Sequence, residues 1–214
     1  MRKIKLAPGE YYHIYNRGNN KQKIFLNNKD YTRFLFLILY LQSPHTFPQV
    51  GRLALSFVKH RVFDIDINII EKILKDRFVE LVCYVLMPNH FHLIVHEIDD
   101  HGISKYMQRV LNAYSKYFNI KYDLAGHVFQ GPFRAVHIKN NEQLIYLSAY
   151  IHRNPRELKG WKNKEDDYPW SSYNDYISMN QWNGLLKNSE VIEQFVDGKK
   201  YIKFVESTDA KEFN

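Results

Sequence analysis

The stretch Arg77–Glu97, RFVELVCYVLMPNHFHLIVHE, decides how this chain folds. Two runs rich in β-branched and aromatic residues, 77–87 and 90–97, flank Pro88-Asn89. That is the pattern of two strands joined by a tight turn, a β-hairpin. Side chains alternate faces along a strand, so His90 and His92 point one way while Phe91 points the other. Two imidazoles on one face can hold a divalent metal ion together. A pair of surface histidines on a half-exposed strand would give the same spacing.

Working outward, Glu10–Asn16 (EYYHIYN) reads as a strand, broken by the polar loop Arg17-Gly18-Asn19-Asn20. Residues 28–42 carry apolar side chains at helical spacing, with Asn28 as the expected N-cap. Pro44, Pro48 and Gly51 fall in a stretch, 43–66, where no period is legible, and a short helix is expected over Ile67–Lys75. An amphipathic helix follows over Ser104–Ile120, then a strand over Phe133–Lys139. Asn140-Asn141-Glu142 opens a last core helix that Pro155 helps to end. The order strand, helix, two strands, helix, strand is that of an α+β, ferredoxin-like βαββαβ core. Such a core is an antiparallel sheet with its helices on one face. An insertion after the first helix and a C-terminal helical extension are added to it. The expected division is a catalytic region over 8–160 and an extension over 161–214 packing on it.

Composition narrows the function. The 214 residues are 45% hydrophobic and 15% aromatic, enough for a packed core and unlike a disordered chain. A net charge of +7 suits a polyanionic partner. The single cysteine, Cys83, rules out an intrachain disulfide and a thiolate zinc site. The N-terminus lacks the apolar segment of a secretory signal, and no stretch is apolar for long enough to span a bilayer. A cytoplasmic protein without a membrane role is expected.

A second cluster lies in Tyr146-Leu147-Ser148-Ala149-Tyr150-Ile151-His152-Arg153-Asn154-Pro155. Tyr150 and Asn154 are four apart and share a helix face. The Asn154 amide offers a carbonyl oxygen that divalent cations accept. A metal held there with the two imidazoles would polarise a phosphate, which a tyrosine one turn away could attack. Asn154 could equally do no more than cap the helix before a proline, with Tyr150 in the core. Among the 16 tyrosines, Tyr146 and Tyr114 are the competing nucleophiles; Tyr117 lies on the same helix as Tyr114. His152 faces another side of the helix, toward DNA or solvent, and His96 reads as a packing or supporting residue. Arg17, Asn19, Asn20, Lys21 and Lys23 form a polar, basic loop suited to phosphates and unpaired bases. Arg134 is placed to hold a phosphate, and Lys105, Arg109 and Lys116 to extend a basic side.

Four segments in this order resemble one family: Tyr12-His13-Ile14-Tyr15-Asn16-Arg17-Gly18-Asn19-Asn20 with Ile24-Phe25, Tyr84-Val85-Leu86-Met87-Pro88-Asn89-His90-Phe91-His92, Gly131-Pro132-Phe133-Arg134, and Tyr150-Ile151-His152-Arg153-Asn154-Pro155. The chain resembles the single-tyrosine transposases of the HUH endonuclease superfamily, and within them the REP-associated branch. The resemblance implies His90 and His92 as metal ligands, Asn154 as the third ligand and Tyr150 as the nucleophile. It implies Mg²⁺ or Mn²⁺ as cofactor and hairpin-bearing single-stranded DNA as partner. The reaction it implies is cleavage through a 5′-phosphotyrosine that the freed 3′-OH can later attack. It leaves open whether the protein acts as a monomer or a homodimer. Two other readings stand beside it: a non-transposing single-stranded nucleic-acid-binding or processing protein of the same fold, and a metal-dependent hydrolase that uses water.

Overall fold

The computed structural model describes residues 4–208, so positions 209–214 of the extension lie outside the described residues. Four strands, β1 (Tyr11–Arg17), β2 (Val79–Met87), β3 (His90–Glu97) and β4 (Arg134–Ile138), form one antiparallel sheet in the order β2-β3-β1-β4. The hairpin turns at Pro88-Asn89, pairing Met87 with His90 and Val85 with His92. β1 enters between β3 and β4, which sets Tyr15 opposite both His92 and Arg134. All nine residues of β2 are buried, so this strand is covered on both faces.

Helices α1 (Asn28–Tyr40) and α4 (Gly102–Tyr122) cover one face, as a ferredoxin-like core requires. There Phe34 meets Phe91 at 4.9 Å between ring centres and Tyr114 at 5.0 Å. The cap of α1 is Asn27, one residue before the expected Asn28, because Asp30 closes a capping box with it. The buried Asp30 carboxylate also receives Lys121, Tyr117 and Tyr122 from α4, tying the two helices together.

The insertion holds α2 (Val50–His60) and α3 (Ile67–Lys75). Helix α2 falls in the stretch where no period was legible. Its ends are left-handed residues, Gln49 and Arg61, with no capping side chain, and only Ala54 and Phe57 are buried. Val50, Leu53, Ala54 and Phe57 do step along one helix face, but with no cap signal and with Pro44, Pro48 and Gly51 around its start the helix is masked in the sequence. Arg109, expected on a basic face, instead holds the carbonyls of Leu41, Ser43 and His45 where the chain leaves α1.

Helix α5 (Asn141–Arg153) crosses the other face of the sheet, begun by the Asn140 side chain accepting from the Gln143 amide. Beyond it come α6 (Tyr173–Ile177), α7 (Ser189–Ile192) and α8 (Gly198–Ser207). The segment between α5 and α7 closes the outer edge of β2. The Leu86 amide donates to the Trp170 carbonyl (2.8 Å), the Ser172 amide to Tyr84 (3.0 Å) and the Lys187 amide to Leu81 (2.8 Å). The Tyr168 and Tyr176 hydroxyls donate to the Leu86 and Val82 carbonyls. An edge strand that would otherwise template wrong pairings is thereby satisfied.

His152 does not face DNA or solvent. It is fully buried between α5 and the extension, with Nδ1 at 2.7 Å from the Tyr201 hydroxyl and Nε2 at 2.9 Å from Ser172 Oγ. The face of α5 that carries it is exactly the one the extension covers, and its burial depends on residues far along the chain. Among the described residues no helix is long and apolar enough to cross a membrane.

Candidate active site

Strand alternation gathers the site. His90 and His92 leave β3 on the α5 side, and the register sets Arg17 opposite His90 and Tyr15 opposite His92. The two imidazoles are 5.1 Å apart and nearly perpendicular. From above, α5 lowers Tyr150 edge-on to the His92 ring at 5.6 Å. A cavity of about 560 Å³ results, lined by His90, His92, Tyr150 and Asn154 with Arg17, Arg134, Gln130 and Glu157.

Each imidazole is held from behind. His90 Nδ1 lies 2.7 Å from Asn89 Oδ1, and the Asn89 Nδ2 donates to the Lys21 carbonyl (3.3 Å). That second bond fixes which end of the amide is oxygen, so His90 Nδ1 is the donor and Nε2 keeps its lone pair. His92 Nδ1 lies 2.8 Å from His13 Nε2, with the rings stacked at 5.0 Å. The Asn154 Nδ2 donates to the Tyr150 carbonyl (2.9 Å), which orients this amide as well.

Burial keeps the imidazoles neutral. It lowers His90 to about 4, an effect the Asn154 side chain opposes and the Arg17 charge reinforces. Burial holds His92 well below its ordinary value, helped by its histidine neighbours and Arg17, and lowers His13 to about 4. Neutral imidazoles are the form that binds metal. Among the described residues no group of three or more His, Cys, Asp or Glu side chains is placed to hold a metal ion. Asn154 lines the same cavity, and its amide, oriented by the Tyr150 carbonyl, offers an oxygen as a further donor. Two imidazole nitrogens and one amide oxygen, open toward a cavity, fit a divalent ion that keeps positions for phosphate oxygens.

The expected DNA-binding residues divide. Arg17 and Arg134 line the cavity. Asn19, Asn20 and Lys21 form a single 3-10 turn that does not line it. They sit behind the hairpin turn, where the Gly18 amide donates to Asn89 (2.8 Å) and Lys21 offers its carbonyl to the same residue. The rival tyrosines are placed elsewhere. Tyr114 is buried with its hydroxyl on the Ile24 carbonyl, Tyr146 packs on Phe204, and Tyr117 bonds Asp30. His96 pairs with Glu80 (2.7 Å) and stacks on Tyr11. Residues of the site that went unread in the sequence include His13, Asn89, Gln130 and Glu157. The signal for His13 is the alternation His13, Tyr15, Arg17 on the face shared with His92; for Glu157 it is the three-residue step from Asn154 along a 3-10 turn.

Residues 57–154 match the family described as transposase IS200 like. The fold is similar to that of a REP-associated tyrosine transposase solved bound to a REP hairpin, with a TM-score of 0.52 and 19% identity over 100% of this chain and 97% of that one. No curated protein sequence matches the chain. Residues 57–154, the stretch that holds His90, His92, Tyr150 and Asn154, are thus similar to the IS200-like transposase family, and the fold is similar to that of a REP-associated tyrosine transposase.

Proposed function

We propose that this protein cleaves and rejoins single-stranded DNA beside hairpins, with Tyr150 as nucleophile and residues 8–160 as the catalytic region. The observation that carries the reading is the convergence of Tyr150, His90, His92 and Asn154 on one cavity that two arginines also enter. In the forward step the Tyr150 oxygen bonds to phosphorus while the bond from phosphorus to the 3′ oxygen breaks. The tyrosine loses its proton and the departing 3′ oxygen gains one. The 5′ side of the break stays joined to Tyr150, and the 3′-OH can reverse the reaction, so no external energy source is needed. His90, His92 and Asn154 would hold a divalent ion, Mg²⁺ or Mn²⁺, which would supply Lewis-acid polarisation of the scissile phosphate. Arg17 and Arg134 neutralise the phosphates on either side, while Asn19, Asn20 and Lys21 contact the strand as it leaves the cavity.

The test is an adduct assay on labelled single-stranded hairpin DNA taken from the flanks of the gene, with Mg²⁺ or Mn²⁺, resolved under denaturing conditions. A protein–DNA band lost with EDTA and in Tyr150→Phe is the expected result. Cleavage that leaves free 5′-phosphate ends and no adduct would replace the tyrosine with water. Binding without cleavage would make the protein a binding or processing module of the same fold.

A further inference from the structure

The two histidines of the hairpin are supported differently, and the difference matters. For His90 the acceptor behind the ring is an amide oxygen whose orientation is fixed by the Lys21 carbonyl, so its tautomer is set. For His92 the partner is another imidazole, His13, which can either accept or donate through Nε2. If His13 Nε2 donates, the proton of His92 must sit on Nε2, pointing into the cavity, and the lone pair faces away from it. If His13 Nε2 accepts, His92 carries its proton on Nδ1 and presents a lone pair to the cavity. Only the second arrangement lets His92 act as a ligand.

We propose that His13 is a positioning residue: its Nε2 accepts from His92 Nδ1 and thereby holds the His92 Nε2 lone pair toward the cavity. The geometry supports an orienting role and argues against mere filling. The bond is 2.8 Å, both side chains are buried, and the rings stack 5.0 Å apart at 20°. His13 also stands 4.9 Å from the Tyr15 ring and 6.4 Å from Tyr150, and both of these rings contact His92 as well (5.7 and 5.6 Å), so the two imidazoles are packed together between the same aromatic side chains. Partners behind a metal-binding histidine that fix its tautomer commonly matter ten- to a hundredfold to affinity. The inference rests on the metal-site reading of His90 and His92, and its test separates the two.

The experiment has two arms. In the first, Mn²⁺ binding to the full-length protein is measured by electron paramagnetic resonance for wild type, His92→Ala, His13→Leu and His13→Gln. Glutamine places an amide oxygen close to where histidine places Nε2, so His13→Gln keeps an acceptor and His13→Leu does not. Expected is a loss of about 10- to 100-fold in affinity for His13→Leu, with His13→Gln restoring most of it. Equal affinity in wild type and a folded His13→Leu overturns the proposal and leaves the metal site standing. Weak binding in both His13 variants also overturns it, because the acceptor is then not what matters. In the second arm, the ring nitrogens of His92 are assigned by ¹⁵N NMR in metal-free wild-type protein. A proton on Nδ1 is expected; a proton on Nε2 overturns the proposal whatever the variants do. Wild type that takes up no Mn²⁺ defeats the metal reading, and the tautomer still judges His13.

Discussion

Changing Tyr201 to Phe isolates one oxygen that joins the last helix to the helix bearing Tyr150. The polarity of the buried chain can be worked out from its ends. Ser148 donates its only hydroxyl proton to the Ile145 carbonyl (2.7 Å), so it must accept from Tyr201 (2.9 Å). Tyr201 has then used its proton, and His152 Nδ1, 2.7 Å away, must be the donor to the Tyr201 oxygen. Phenylalanine keeps the ring packing and leaves the His152 N–H buried without an acceptor. Ser148 keeps its bond to the backbone and loses little. An orphaned buried donor costs about 1–3 kcal/mol. Taking the middle of that range, the melting temperature of a chain of this size falls by about 4–8 °C. The assay is urea unfolding at constant m-value, with thermal melts as a second reading. A stability change under about 0.5 kcal/mol, or a His152 proton found on Nε2 by NMR, would refute the reasoning.

The remaining predictions are more local. Gly18→Ala should destabilise by about 3 kcal/mol and weaken single-strand binding, because a Cβ there would stand 2.1 Å from the Gln22 carbonyl oxygen, a backbone atom with nowhere to go; a melt indistinguishable from wild type would show that the loop is slack. Arg134→Gln should lower affinity for single strands of any sequence and reduce the slope of log K against log salt by about one, so an unchanged slope would take Arg134 off the phosphate path. Asp30→Asn should cost about 2 kcal/mol at neutral pH. Burial pushes that carboxyl up, but Lys121, Tyr122, the Leu26 amide and Tyr117 outweigh it and hold the pKa below its ordinary 3.8. The contribution is therefore complete above pH 3.8 and fades as pH falls through the lower folded value, so the gap between the two proteins should narrow in acid. A gap independent of pH would mean the network is held by shape and not by charge.

Much of this architecture was legible because it rests on short-range rules. The hairpin was readable from its turn and its β-branched runs, and the face shared by His90 and His92 follows from alternation alone. The four-residue step from Tyr150 to Asn154 likewise needs nothing beyond helix geometry. What escaped depends on tertiary placement. Helix α2 is an exception: it carries Val50, Leu53, Ala54 and Phe57 at helical spacing but no cap, and Pro48 and Gly51 beside its start hide that spacing. His13 stands on a strand whose neighbour is supplied from a distant part of the chain, and a histidine there reads equally well as core. Arg109 and His152 show the opposite failure: polar residues assigned to the surface that are spent on carbonyls and hydroxyls brought in by the insertion and the extension.

The covering of β2 and the backing of α5 also set an order in time. A chain is synthesised from its N-terminus, and the hairpin and Tyr150 emerge before the residues that close the β2 edge and well before Tyr201. Until those later residues arrive, His152 lacks Tyr201 and Ser172 and keeps only the Cys83 sulfur of β2 (3.3 Å), and the helix bearing Tyr150 lacks the cover of α8. Nascent chains arrested at increasing lengths and probed by limited proteolysis should show α5 becoming protected only once α8 has emerged. On the function proposed, the competence of Tyr150 would thus wait for α8, a helix far from it in the sequence.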